Sequence, residues 1–295
     1  IDLAKSLMGK KLTKLILHNN SLGQHGMAFV AEVIRGNPTL SHLGLIRNRL
    51  DDNLEAVTDF AEALREHPSS SNLVINLDDD QLGGKAEAFS IIIGACANAE
   101  SITVKSKNLY SQSAIAISQF IAMNHSVKIM RFPINNFKVQ DAILIGQALQ
   151  SNRNMHSLTL QHGALCPLSE CSKKALLKSL FDTTNMNSLV DSNHTCLITG
   201  ISQDLICNLG HVNDTYDPFV NEKKKIISAL LDAVMECSDF SLLDGVPTEC
   251  MPDVLGLIQL DPRELRRPER IDKYSLSLIF EVLRGWELPV LFSFR

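Results

Sequence analysis

The chain has 295 residues, of which 45% are hydrophobic, with 28 Lys and Arg set against 33 Asp and Glu for a formal net charge of −5. That balance excludes a polybasic binder of nucleic acid or membrane surface, and one Trp with three Tyr offers no stacking platform for single strands. No apolar run approaches the ~20 residues of a membrane helix, so the length implies one large domain or two modest ones with real cores.

Seven cysteines without a CxxC pair fit reduced, intracellular thiols, cytoplasmic or organellar, better than a disulfide framework. The N-x-[ST] sequons at Asn19, Asn124, Asn193 and Asn213 are of a number that chance supplies. The chain opens Ile1-Asp2-Leu3-Ala4 without a signal-peptide pattern, which reads as a fragment whose true N-terminus lies upstream. Asp2 to Gly9 reads as the tail of an earlier helix.

From there a repeat governs the sequence. Leu12, Leu15, Leu17, Asn20 and Leu22 recur 28 residues on as Leu40, Leu43, Leu45, Asn48 and Leu50. The pattern returns as Asn72, Ile75, Leu77, Asp80 and Leu82 after an insertion of four, then as Ala99, Ile102, Val104, Lys107 and Leu109. Val127, Met130, Phe132, Asn135 and Phe137 follow, then Met155, Leu158, Leu160, Gly163 and Leu165. A degenerate seventh copy is Met186, Leu189, Asp191, His194 and Cys196. Apolar residues two apart put alternate side chains of a short parallel strand into the core. The Asn position lets a side-chain amide bond the backbone where the strand leaves the sheet. Between copies, Gly26–Arg35 and Leu54–Arg65 have helical spacing, and Asn37-Pro38, His67-Pro68 and Asn152 mark helix ends.

On these residues, positions 1 to about 198 resemble the leucine-rich repeat of the ribonuclease-inhibitor-like subclass, with Asp80, Lys107 and Gly163 departing from the Asn position. The resemblance implies an α/β solenoid, with parallel strands on a concave face and helices on the convex face, over residues 1–198. Residues 199–295 are expected to form a mainly helical C-terminal cap, since solenoid ends expose raw core. There Asn221 is placed to cap an amphipathic helix through Met235, Pro252 to start another, and Ser275–Arg284 to form a last one. Asp191–Cys196, Asn221 with Lys223-Lys224-Lys225-Ile226, and Trp286-x-x-Pro289-x-Leu291-Phe292 together resemble a constellation in uncharacterised algal leucine-rich-repeat proteins, which implies architecture and no catalytic residue.

Candidate binding residues are those between the core leucines, facing out from the concave sheet: Lys14, Ile16, His18; His42, Gly44, Ile46; Val74, Asn76, Asp78; Ser101, Thr103, Lys105; Ile129, Arg131, Pro133; Ser157, Thr159, Gln161; and Ser188, Val190, Ser192. Seven strands at ~4.8 Å spacing span roughly 30 Å. No carboxylates pair in neighbouring columns for acid–base work and no basic stripe tracks a phosphate backbone. Apolar anchors in a polar surround suit a protein partner.

Sharper chemistry yields to plainer readings. Asp78-Asp79-Asp80 is a solvated acidic rim rather than a cation site. His162, Cys166 and Cys171 lack a fourth ligand, which leaves a loop histidine and buried thiols. His18 and His42 fall in different columns, while Cys196 is core and His194 serves its turn. Asn193 lies where a glycan clashes with packing. The basic residues between Arg263 and Lys273 alternate with acids as a solvated face.

The expectation is a non-enzymatic binding scaffold for one protein partner, with no cofactor, metal, nucleic acid, small-molecule substrate or membrane span. The alternatives are a Ran-GTPase-activating-protein-like regulator of a small GTPase, against which stands the lack of an acidic tail at Leu291–Arg295, and a structural subunit of a larger assembly.

Overall fold

The computed structural model describes residues 2–48, 53–68, 70–78, 85–124, 126–160, 168–199, 213, 215 and 217–237. The chain divides into two units, residues 1–180 with 195–201 and residues 181–194 with 202–295.

In the first unit strands and helices alternate. The helices are α1 (Asp2–Leu7), α2 (Gly23–Gly36), α3 (Leu54–Glu66), α4 (Ala86–Ala95), α5 (Ser111–Met123), α6 (Val139–Ser151) and α7 (Glu170–Leu180). The strands are β1 (Lys14–His18), β2 (His42–Ile46), β3 (Val74–Asp78), β4 (Ser101–Lys105), β5 (Ile129–Arg131), β6 (Ser157–Thr159) and β7 (Leu197–Thr199). All seven form one parallel sheet in chain order, so each inner strand pairs with those of the repeats before and after it. The result is an α/β, solenoid-like arrangement.

The period-two pattern sets the core. Leu15, Leu43, Ile75, Ile102, Met130, Leu158 and Ile198 share one register row and are all buried. Exposure is 7% and 5% for the first and last of these and at most 1% for those between, because an end strand has one neighbour instead of two. The helices cover this face with stripes at three- and four-residue spacing, such as Met27, Val30, Ala31 and Ile34 on α2 and Val57, Phe60, Ala61 and Leu64 on α3. Gly146 lets α6 approach α7, since a Cβ there would stand 3.3 Å from Ser179 Cβ. At the surface Arg35 on α2 reaches Asp59 on α3 at 2.7 Å.

Two polar ladders close the backbone at the strand and helix ends. At the strand ends, Asn48 Nδ2 donates to the carbonyls of Leu17 (2.8 Å) and Ile46 (3.1 Å), while its Oδ1 accepts from the Asn20 amide (2.9 Å). Asn135 does the same for Phe132 and Leu160. Where Lys107 replaces Asn, the hydroxyl of buried Ser106 accepts from the Asn108 amide at 3.2 Å. At the helix ends, Asn152 Nδ2 donates to the carbonyls of Ile121 (2.7 Å) and Asn124 (2.6 Å) in the preceding repeat, and Asn124 Nδ2 to that of Ala97 (2.6 Å). Asn37 accepts from the Leu12 amide, and His67 Nε2 bonds the Asn37 carbonyl at 3.2 Å. Asn37, His67 and Asn152 stop helices, as expected, and Asn124 does so too; all four also tie a repeat to its neighbour.

The seventh repeat corrects the sequence reading. Residues expected as its strand, including Ser188 and Val190, instead lie in or end a short helix, α8 (Met186–Val190), whose start is capped by Asn185 Oδ1 accepting from the Ser188 amide at 2.9 Å. The paired strand is β7, in register with β6 through Leu158 and Ile198. Forty residues separate these two where twenty-eight separate Met130 from Leu158, and the extra length holds α8.

In the second unit the long helix α9 (Pro218–Cys237) starts a turn earlier than expected. Asp217 Oδ1 accepts from the Phe219 amide at 2.9 Å and Pro218 takes the first helical position, so Asn221 lies inside the helix and is not its cap. Asn221 Nδ2 donates to the His194 carbonyl (2.9 Å), and its Oδ1 accepts from Thr215 Oγ1 (2.8 Å). One turn on, Lys225 is 1% exposed and donates to the Asn193 carbonyl at 2.7 Å. His194 Nε2 faces the Val190 carbonyl at 3.0 Å and so carries the proton, which leaves Nδ1 to accept from Lys225 Nζ at 3.2 Å. His194 thus meets the buried Lys225 Nζ and is not a strand-turn residue like Asn20. Cys196 is fully buried, as expected for core. Pro252, Ser275–Arg284 and Trp286 lie outside the described residues.

Asn48→Ala is expected to cost roughly 1–3 kcal/mol, because buried backbone groups lose their partners, while Asn20→Ala at an exposed site costs below ~0.5 kcal/mol. Urea unfolding checks this through a lower midpoint at unchanged slope. Lys225→Met keeps the apolar stem and removes the donor; amide exchange within α9 should then accelerate at least ~tenfold, the equivalent of one lost charged hydrogen bond.

Candidate functional site

The other face of the sheet, away from the helices, carries the residues singled out as candidate binding positions. Three rows cross it. The first holds Lys14, His42, Val74, Ser101, Ile129, Ser157 and Leu197; the second Ile16, Gly44, Asn76, Thr103, Arg131, Thr159 and Thr199; the third His18, Ile46, Asp78 and Lys105. Lys14, Ile16, His18, His42 and Arg131 are exposed, whereas Ile46, Asn76, Asp78, Thr103, Lys105, Ile129 and Thr159 are half-buried. Gln161 lies outside the described residues. His18 pairs with Ile46 and His42 with Lys14, so the two imidazoles occupy different rows, as the spacing requires.

Local packing positions several of these groups. Ile16 is 49% exposed and lies over Gly44, where a Cβ would stand 3.2 Å from Ile16 Cγ1. The missing side chain at Gly44 therefore seats an isoleucine on an otherwise solvated face. Arg131 is oriented by a hydrogen bond from Nη1 to the hydroxyl of Ser101 at 3.0 Å, and Ser101 is itself buried. Asn76 Oδ1 is enclosed and accepts no hydrogen bond among the described residues. Sequence reasoning missed the Ser101–Arg131 tether, since a one-strand diagonal contact leaves no spacing signal. It also missed Leu197 and Thr199, which take the last-strand places expected for Ser188 and Val190.

The charge on this face differs from that of the chain. Among its described positions Lys14, Lys105 and Arg131 are cationic and Asp78 alone is acidic, against a net −5 overall. Asp78 and Lys105 are register partners but form no ion pair among the described residues.

Nothing in the described residues assembles a metal centre: no group of three or more His, Cys, Asp or Glu is placed to hold an ion. Asp79, Asp80, His162 and Cys166 lie outside them. Cys171, expected as a buried thiol, is instead exposed on α7, because the buried stripe of that helix runs through Ser172, Leu176, Ser179 and Leu180. Cys96 is buried, donates to the Ile92 carbonyl at 3.1 Å, and has its pKa pushed up to about 12 by desolvation. A thiol so placed is held protonated and inert. Asn193, as expected for a site where a glycan would clash, has no exposed surface. No helix among the described residues is long and apolar enough to cross a membrane.

No model of a known protein family matches this chain. No curated protein is found to match it either.

Among the described cysteines, iodoacetamide at pH 8 should alkylate Cys171 in the folded protein and leave Cys96 and Cys196 untouched until denaturant is added. Peptide mass spectrometry reads this directly, and labelling of Cys96 at the rate of Cys171 would contradict its burial.

Proposed function

We propose that this protein is a non-enzymatic binding scaffold: a leucine-rich-repeat solenoid of the ribonuclease-inhibitor-like kind that holds one protein partner on the open face of its sheet. The observation that carries the reading is that face itself. Exposed Ile16 and half-buried Ile46, Val74 and Ile129 supply apolar anchors. Around them Lys14, His18, His42, Thr103, Lys105, Arg131 and Thr159 supply polar groups held at fixed spacing by strand register. Apolar anchors rimmed by polar groups on a rigid scaffold are the composition of protein interfaces. Among the described positions of the face Asp78 is the one carboxylate, with no second acid in a neighbouring row.

Affinity capture with quantitative mass spectrometry tests this. The wild-type chain should retain one dominant partner. The triple variant Ile46→Asp, Arg131→Glu, Thr159→Lys should retain it at least ~tenfold less, as expected when central interface residues are lost, with an unchanged circular dichroism spectrum. Equal retention by the two proteins would refute the open face as the binding surface.

A further inference from the structure

The β4–β6 part of the open face has a chemical bias of its own. Its described outward groups are the hydroxyls of Ser101, Thr103, Ser157 and Thr159, the ammonium of Lys105, the guanidinium of Arg131 and the side chain of Ile129. Not one is a carboxylate. Arg131 is exposed and spends one N–H on Ser101, which fixes the plane of the guanidinium and leaves its remaining donors available. Among the described residues neither Arg131 nor Lys105 makes an ion pair: the described ion pairs lie on helices, at Arg35 with Asp59 and Glu66 and at Lys173 with Glu170.

We propose that the β4–β6 face of the sheet binds an acidic peptide segment of the protein partner, with an Asp or Glu carboxylate on Arg131, assisted by Lys105, and a neighbouring apolar side chain against Ile129. The proposal rests on the reading of the open face as a protein-binding surface. A guanidinium whose plane is set beforehand suits the two oxygens of a carboxylate, because it loses less freedom on binding than a free one. One Arg and one half-buried Lys among hydroxyls match a singly charged carboxylate better than a doubly charged phosphate, which is usually met by a cluster of arginines. The bias is local, since the one described acid on the face, Asp78, lies on β3 outside this region. Charge complementarity therefore selects the partner's sign, while Ile129 supplies apolar contact.

Fluorescence anisotropy on the full chain tests the proposal with labelled peptides of equal length and equal leucine content, whose other positions are all Glu, all Lys or all Ser. A phosphoserine version and a single-stranded oligodeoxythymidine complete the set of probes. The Glu peptide should bind at least ~tenfold more tightly than the Lys or Ser peptide, and added salt should weaken it. Arg131→Gln should cost ~tenfold, Ser101→Ala a smaller loss with the charge retained, and Lys174→Gln on the exposed side of α7, away from the sheet's open face, none. Tighter binding of the phosphopeptide or the oligonucleotide would overturn the proposal, as would indifference to Arg131→Gln or no binding of the Glu peptide. If all three peptides bind alike and Ile46→Asp abolishes binding, the open-face reading survives and the acidic preference falls. If the Glu peptide binds and neither Arg131→Gln nor Ile46→Asp affects it, both fall.

Discussion

Strands of three to five residues make few ladder bonds each, and the structure depends on how their ends are closed. Each repeat leaves orphan amides and carbonyls where the strand turns out and where the helix stops. Side-chain amides of a neighbouring repeat take them up: Asn48 and Asn135 at the strand ends, Asn124 and Asn152 at the helix ends. An unpaired buried backbone group costs about as much as several buried methylenes, so the ladders help fix the register of each repeat on its neighbour. With that register fixed, the apolar rows from Leu15 to Ile198 stack into one core.

Function follows from what such stacking leaves over. Every second strand residue points away from the core, and parallel register sets its distance from its neighbours, so the open face is a rigid array whose chemistry varies freely. Here it carries isoleucines on a glycine seat and half-buried row positions, with hydroxyls and cations rather than acids over β4–β6. Arg131 shows the coupling most clearly. Its orientation comes from Ser101, whose position comes from the pairing of β4 with β5, which the Asn ladders in turn hold in place. In the second unit, buried Lys225 has a comparable structural role by joining α9 to the Asn193–His194 backbone and ring.

The first six strands were legible in the sequence because period-two apolar residues recur at near-constant spacing, with an Asn at a fixed offset in three of the six copies, a signal strong enough to place every register row. The seventh was not. Met186, Leu189 and Cys196 satisfy the apolar spacing as well as the true strand does, and a three-residue strand such as Leu197–Thr199 carries too little alternation to compete. Asn185 as an N-cap was the clue to α8. The helix-end ladder was half read: Asn37, Asn124 and Asn152 each stand three residues before the first core position of the next strand. That offset suits an Asx turn, as Asn152 accepting from the Asn154 and Met155 amides shows. The start of α9 was signalled by Asp217-Pro218, an N-cap followed by a first-position proline, which outranks the later Asn221. The tether of Arg131 to Ser101 depends on a side-chain rotamer across strands and has no sequence pattern at all.

The account stands on the register that separates core rows from open-face rows, and cysteine accessibility measures that register directly. In a Cys171→Ser background, single cysteines placed in turn at Lys14, Leu15, Ile16, His42, Leu43, Lys105, Met130 and Arg131 would be alkylated in the folded protein. The predicted outcome is an alternation along β1, β2 and β5, with rapid labelling at Lys14, Ile16, His42, Lys105 and Arg131 and none at Leu15, Leu43 and Met130 before unfolding. Equal labelling of neighbours along a strand, or alternation in the opposite phase, would contradict the sheet as described and remove the surface on which the proposed function rests.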